Sequence, residues 1–299
     1  MNNPPHISVC ICTFRRPAMV EALLSALERQ RTDSLFSYSI VVADNDAEQS
    51  AESTVRAFAA GSASAVAYCV EPVANIARAR NAAVAAATGD FIAFIDDDEL
   101  PQADWLLAMF RTLTTCRVTG VLGPVVARFQ REPAAWITKG CFFDRPRYAT
   151  GRRITWPEAR TGNALLSRQA FEGLQPPFRT EFATAGEDMD FFRRATDKGR
   201  TFVWCDEAPV FELVPPHRCT RRFLLRRALL RGSNFPKHPA HRTRNALKSL
   251  LAVPCYTLAL PVLAVTGHHR LMAYLIKLAD HSSRLMAFAG LPLVSEREN

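Results

Sequence analysis

The chain has 299 residues, 48% of them hydrophobic, with a formal net charge of +8 and a pI near 9.3. That length and apolar share suit a full α/β core with one smaller appendage, and the basic balance points to anionic partners: nucleic acid, nucleotides or a lipid surface. The eight cysteines form no CxxC pair and no Cys/His spacing that suits zinc, so they read as reduced thiols, the usage of a cytoplasmic protein.

The opening "MNNPPHISV" lacks a basic stretch followed by an apolar one, so it reads as a disordered lead-in rather than a signal peptide. "ISVCICTF" is rich in β-branched residues and bounded by Pro5 and an "RRP" turn, the pattern of a buried strand. In "PAMVEALLSALERQ", Val20, Leu23, Leu24 and Leu27 recur at helical spacing, with Pro17 suited to the first turn. "YSIVVADND" predicts a second strand, "AESTVRAFAAG" a second helix and "AVAYCVEP" a third strand. "NIARARNAAVAAATG" predicts a helix capped at its end by Gly89, and "DFIAFID" a fourth strand. Beyond it, "VTGVLGPVVARF" suggests one or two strands, 130–160 is loop-rich, and "GEDMDFFRRATDKG" is a helix that starts on acids and stops at Gly199. "TFVWCDEAPVFEL" reads as one more strand. Strands alternating with helices predict a doubly wound, mostly parallel sheet, whose ligands lie beyond the carboxyl ends of the strands.

Polar residues fall at those ends: Thr13 and Arg15 after the first strand, Asp44, Asn45 and Asp46 after the second, Asp96 to Glu99 after the fourth. The last group is the most pointed, because two carboxylates about 4 Å apart repel by roughly 4 kcal/mol at an effective dielectric of about 20. A solvated loop would tolerate them. A Walker-type acidic strand end would need a GxxxxGK[ST] loop, which the chain lacks. A divalent cation site fits better, since hard oxygen ligands suit Mg²⁺ or Mn²⁺ completed by phosphate and water.

"ISVCICTFRRPAMVEALLSALERQ", "VVADND", "ANIARARNAAVAAATGDFIAFIDDDELPQADWL", "TGNALLSRQAF" and "AGEDMDFFRRATDKG" resemble, in that order, the successive blocks of glycosyltransferase family 2, over about residues 6–235. The resemblance implies a GT-A fold: a nucleotide-binding α/β domain, acting with Mn²⁺ or Mg²⁺ and a nucleotide-sugar donor. It places Thr13 and Arg15 at the nucleotide, Asp44 at the base and Arg80 near base and phosphates. It matches Asp96 and Asp98 to the Asp-x-Asp pair, with Asp97 between them at the substrate and Asp98 as metal ligand. Glu187 and Asp188 match the acceptor-side pair, with Asp188 as general base; read alone, these acids could simply complement a helix dipole. One such base without a partner nucleophile implies single displacement with inversion. The Gln-x-x-Arg-Trp block of processive members is missing; "HRCTRRF" stands there, so a single addition is expected, with Arg222 near the diphosphate and His217 as a further metal ligand or merely a surface histidine.

The organisation expected is a catalytic domain over 1–214, a basic helical linker over 215–246, and apolar to amphipathic helices over 247–299. Leu250 to Gly267 carries no charge, but Pro254 and Pro261 argue against one straight span, so interfacial or shallow re-entrant helices are expected beside arginines that meet anionic headgroups. An alternative is a core helical pair packed on the catalytic domain. The expected setting is the cytoplasmic face of the inner membrane, with a glycan or lipid-linked acceptor of surface polysaccharide or glycolipid synthesis. A sugar-phosphate nucleotidyltransferase would want a glycine-rich loop where "CTFRRP" has none, and a nucleic-acid-binding protein would want its arginines along an elongated face rather than beside an apolar tail.

Overall fold

The computed structural model describes residues 4–182, 186–234, 242–291 and 293, without the side chains of 234 and 242–245. The chain divides into two compact units, Met1–Val126 with Arg145–Leu213, and Ala127–Asp144 with Val214–Asn299.

In the first unit, β1 (His6–Thr13), β2 (Ser37–Asp44), β3 (Val66–Val70) and β4 (Phe91–Asp96) are joined by α1 (Pro17–Leu27), α2 (Glu52–Gly61) and α3 (Ile76–Ala86). With β6 (Gly120–Leu122), β8 (Asn163–Ser167) and β9 (Phe202–Trp204) they form a seven-stranded sheet in the order β3-β2-β1-β4-β8-β6-β9. Only β8 runs against its neighbours. Alternation along β1 builds both faces of the core. Ile7, Val9 and Ile11 pack with α1, Val55 of α2 and α4 (Trp105–Cys116), a helix that the sequence reading leaves unassigned. Cys10 points the other way, among Ala77 and Ala83 of α3 and Phe191, Phe192 and Ala195 of α6 (Glu187–Asp197).

Two expectations are corrected here. Helix α3 ends at Ala86, and Gly89 is not its cap: a Cβ at Gly89 would lie 2.6 Å from the Ser8 nitrogen and 2.7 Å from the His6 carbonyl, so glycine serves the close approach of β1. The stretch from 202 to 214 is two strands rather than one, β9 in the main sheet and β10 (Val210–Val214) in a small sheet ordered β5-β10-β7, where β5 is Glu99–Pro101 and β7 is Val125–Phe129.

The second unit is helical: α5 (Ala135–Lys139), α7 (Arg221–Asn234), α8 (Arg242–Thr266) and α9 (His268–Phe288). Ile137, Phe143, Val214 and Leu224 form its buried centre. Gly232 lets α7 lie against α9, since a Cβ there would meet the Asp280 carbonyl at 2.4 Å. Asp280, 5% exposed, accepts from Arg231 at 2.9 Å and pairs with Arg284. Helix α8 is continuous through Pro254 and Pro261, which corrects the expectation that the prolines interrupt it. All eight cysteines are free; Cys10 and Cys205 are buried, whereas Cys116, Cys141 and Cys255 are exposed. Burial pushes the Cys10 thiol well up from its ordinary range.

Candidate active site

The parallel strands deliver their carboxyl ends to one edge of the sheet. Thr13 stands beside Asp44 in the β1–β2 register, and Cys12 stands beside Asp96 in the β1–β4 register. The acidic turn that follows β4 is therefore built against the end of β1.

Within that turn the carboxylates divide. Asp97 points inward: its two oxygens accept from Thr13 Oγ1 at 2.9 Å and Arg16 Nη1 at 2.8 Å, and it is 5% exposed. Burial raises its carboxyl to about 6, against the opposing pull of Arg16. Arg16 also reaches Asp98 Oδ2 at 3.4 Å. Asp96 keeps a side chain that is 46% exposed, and Arg80 Nη2 approaches it at 3.4 Å. Glu99 is buried beneath the turn, where its carboxylate accepts from the Asp96 backbone nitrogen at 3.2 Å. Burial and the neighbouring Asp96 push its carboxyl well above the ordinary range. Gly162 leaves the space beside the pair free, since a Cβ there would sit 2.9 Å from Asp96 Oδ2 and 3.0 Å from Glu99 Oε1.

Arg80 joins this turn to α6. It lies 7% exposed on α3, donates through Nη1 to Glu187 Oε1, faces Asp96 through Nη2, and rests 5.9 Å from the Phe178 ring. These partners occupy the guanidinium that the sequence reading assigns to base and phosphates. Burial raises the Glu187 carboxyl to about 7 in spite of Arg80, and its Oε2 is buried with no hydrogen-bond partner among the described residues. Next to it, Asp188 has one oxygen on the Met189 backbone nitrogen at 2.7 Å and the other 3.9 Å from Arg160 Nε.

At the end of β2, Asp44 is fully buried and accepts from the backbone nitrogens of Asp46 and Ala51 and from the Tyr68 hydroxyl. Both oxygens accept hydrogen bonds inside the protein, which fixes this carboxylate at the end of β2. Arg15, half-exposed, holds Asp46 at 3.3 Å from a left-handed backbone (φ 55°), a conformation uncommon for any residue but glycine. Asn75 caps α3, accepting from the Ala77 and Arg78 nitrogens at 3.0 and 3.2 Å, and its Nδ2 donates to the Thr180 carbonyl at 2.9 Å.

The first unit thus brings Thr13, Arg15, Asp96, Asp97, Asp98, Arg80, Glu187 and Asp188 together at one sheet edge. His217, in a short 3₁₀ turn (Pro216–Cys219), and Arg222, in the first turn of α7, belong to the second unit. Arg16, Arg160 and Gly162 complete the edge without having been singled out, their only sequence signal being adjacency to the "CTF" and "TGN" blocks, and Glu99, read as part of the acidic turn, lies beneath it. Among the described residues no three or more His, Cys, Asp or Glu side chains converge as metal ligands.

Comparison with known proteins gives the family of the chain. The model of glycosyl transferase family 2 matches residues 8–174. The chain is 33% identical over 307 residues to the succinoglycan biosynthesis protein ExoM of Rhizobium meliloti, covering 99% of this chain and 96% of that one. Among solved structures it resembles residues 1–349 of S. aureus TarS in complex with UDP (TM-score 0.53, 14% identity, 95% of this chain and 90% of that one) and the same protein without UDP (TM-score 0.52, 14% identity, the same coverage), a likeness of fold. The chain belongs to glycosyl transferase family 2 and is a glycosyltransferase.

Proposed function

We propose that this glycosyltransferase adds one sugar from a nucleoside-diphosphate donor to a hydroxyl of a glycan or lipid-linked acceptor, with inversion, in the assembly of a surface polysaccharide or glycolipid at the cytoplasmic face of the membrane. The observation that carries the reading is Arg80, which ties the acidic turn to Glu187 and so holds donor-side and acceptor-side acids in one crevice. The UDP in the TarS structure supports a nucleoside diphosphate, and the succinoglycan role of ExoM supports a polysaccharide product.

In this reading Thr13 and Arg15 face the nucleotide. Asp96 and Asp98 are the residues to hold Mg²⁺ or Mn²⁺. Two carboxylates from one turn fit such an ion, whose shell is otherwise completed by phosphate and water, and the cradle that Gly162 leaves open beside Asp96 keeps that carboxylate unobstructed. When bound, the ion supplies positive charge against the leaving diphosphate. Asp188 takes the proton of the acceptor hydroxyl as that oxygen bonds to the anomeric carbon. The anomeric C–O bond breaks at the same time, and its electron pair leaves on the diphosphate. Glu187, paired with Arg80, fixes the helix start that carries Asp188, and Arg160 Nε lies 3.9 Å from the Asp188 carboxylate.

A panel of sugar nucleotides with Mn²⁺ or Mg²⁺, scored for transfer and for donor binding, tests this. Asp188→Asn is expected to bind donor normally and lose about 10²–10⁴-fold in transfer rate, whereas Asp98→Ala is expected to lose metal-dependent donor binding. Unchanged donor affinity in Asp98→Ala overturns the metal assignment.

A further inference from the structure

Helix α8 contains an apolar stretch, Ala246–Thr266, of 21 residues with mean hydropathy 1.8. At 1.5 Å per residue it is about 31 Å long, enough to cross a bilayer. Leu247, Leu251, Leu258, Val262 and Val265 recur at helical spacing along it, each between 61% and 85% exposed.

Its own neighbours argue against crossing. Helix α9 returns alongside: Ser249, near the start of the stretch, hydrogen-bonds His281 at 2.9 Å, and Tyr256, near its middle, meets Tyr274 with ring centroids 5.5 Å apart. Helix α7 in turn follows α9, from Arg221 donating to His268 at 3.0 Å to Arg231 donating to Asp280 at 2.9 Å. A bilayer threaded by α8 would enclose Lys277, Asp280 and Arg284 of α9, and would draw Arg222, Arg226 and Arg227 of α7 in with them. So dense a charged layer is rare at membrane depth.

We propose that α8 lies in the plane of an anionic lipid surface, its aliphatic face sunk to the boundary of headgroups and acyl chains, with α9 and α7 stacked behind it toward water. From Leu250 to Val265 the sequence has no charged residue, which suits acyl chains, while Arg242, Arg244 and Lys248 before this run and Arg270 after it suit anionic headgroups. The inference rests on the proposed membrane location and is independent of the transfer chemistry.

The full chain is sedimented with phosphatidylcholine vesicles, with and without phosphatidylglycerol. Binding is expected to need the anionic lipid, and the double variant Leu258→Asp/Val262→Asp is expected to partition about tenfold or more weaker, with unchanged circular dichroism. A second measurement does not depend on that variant. A fluorophore is placed at Leu247→Cys, native Cys255 or Val265→Cys, the other exposed cysteines being replaced by serine, and is quenched by nitroxide lipids of known depth. Equal, shallow depths at all three positions are the expected result. A label at Cys255 deeper than the other two means a crossing helix and overturns the in-plane geometry alone. Absence of vesicle binding, with the stripe covered in a discrete protein complex instead, overturns both the geometry and the membrane location.

Discussion

Glu187 titrates in the range where an enzyme works. Its carboxyl stands at about 7 in the folded chain against an ordinary 4.5, so the native state binds the extra proton between those values. Stability is then complete below about 4.5 and falls as pH rises through about 7, levelling above it. Melting temperatures taken between pH 4 and 8 should show that decline, and Glu187→Gln should flatten it. Gly162 makes a steric statement of the same kind. With Asp96 and Glu99 oxygens at 2.9 and 3.0 Å from a Cβ, Gly162→Ala should cost about 1–3 kcal/mol and reduce transfer more than it reduces stability, which a denaturant titration beside a rate assay will separate. At this scale the acids were legible because like charges do not crowd without cause. Their division of labour was not: only folding reveals that Asp97 and Asp44 spend their oxygens on Thr13, Arg16, Tyr68 and backbone nitrogens.

Helix α3 shows what an element does for the site. Asn75 satisfies two nitrogens of its first turn and also anchors the Thr180 carbonyl ahead of α6. Asn75→Ala should therefore lower stability by about 1 kcal/mol through the lost cap, and by more than an isolated cap would predict because the Thr180 anchor is lost too; the denaturant midpoint reads this directly. The alternating strands and helices up to Asp96 were plain in the sequence, since each has a single strong period. Beyond Asp96 the order is non-local. The stretch from 202 to 214 looks like one apolar run, yet its halves serve different sheets, and nothing in a run of side chains announces a change of partner.

Across the whole molecule, composition gave a correct account of an α/β core with a basic, apolar tail, but it misjudged the tail's continuity, because proline on an exposed helix face does not end a long helix. The cluster of Arg231, Asp280 and Arg284 is the polar fastening between α7 and α9. Asp280→Ala removes the shared acceptor of Arg231 and Arg284 and should destabilise the second unit by about 1–2 kcal/mol, seen as an earlier unfolding transition in calorimetry. The free cysteines have a use of their own. In the folded chain a maleimide reaches Cys116, Cys141 and Cys255, while Cys10, sealed inside the central strand with its thiol held protonated, must wait for that strand to open. The rate at which mass spectrometry finds an adduct on Cys10 is thus a built-in clock for how often the heart of the enzyme comes apart.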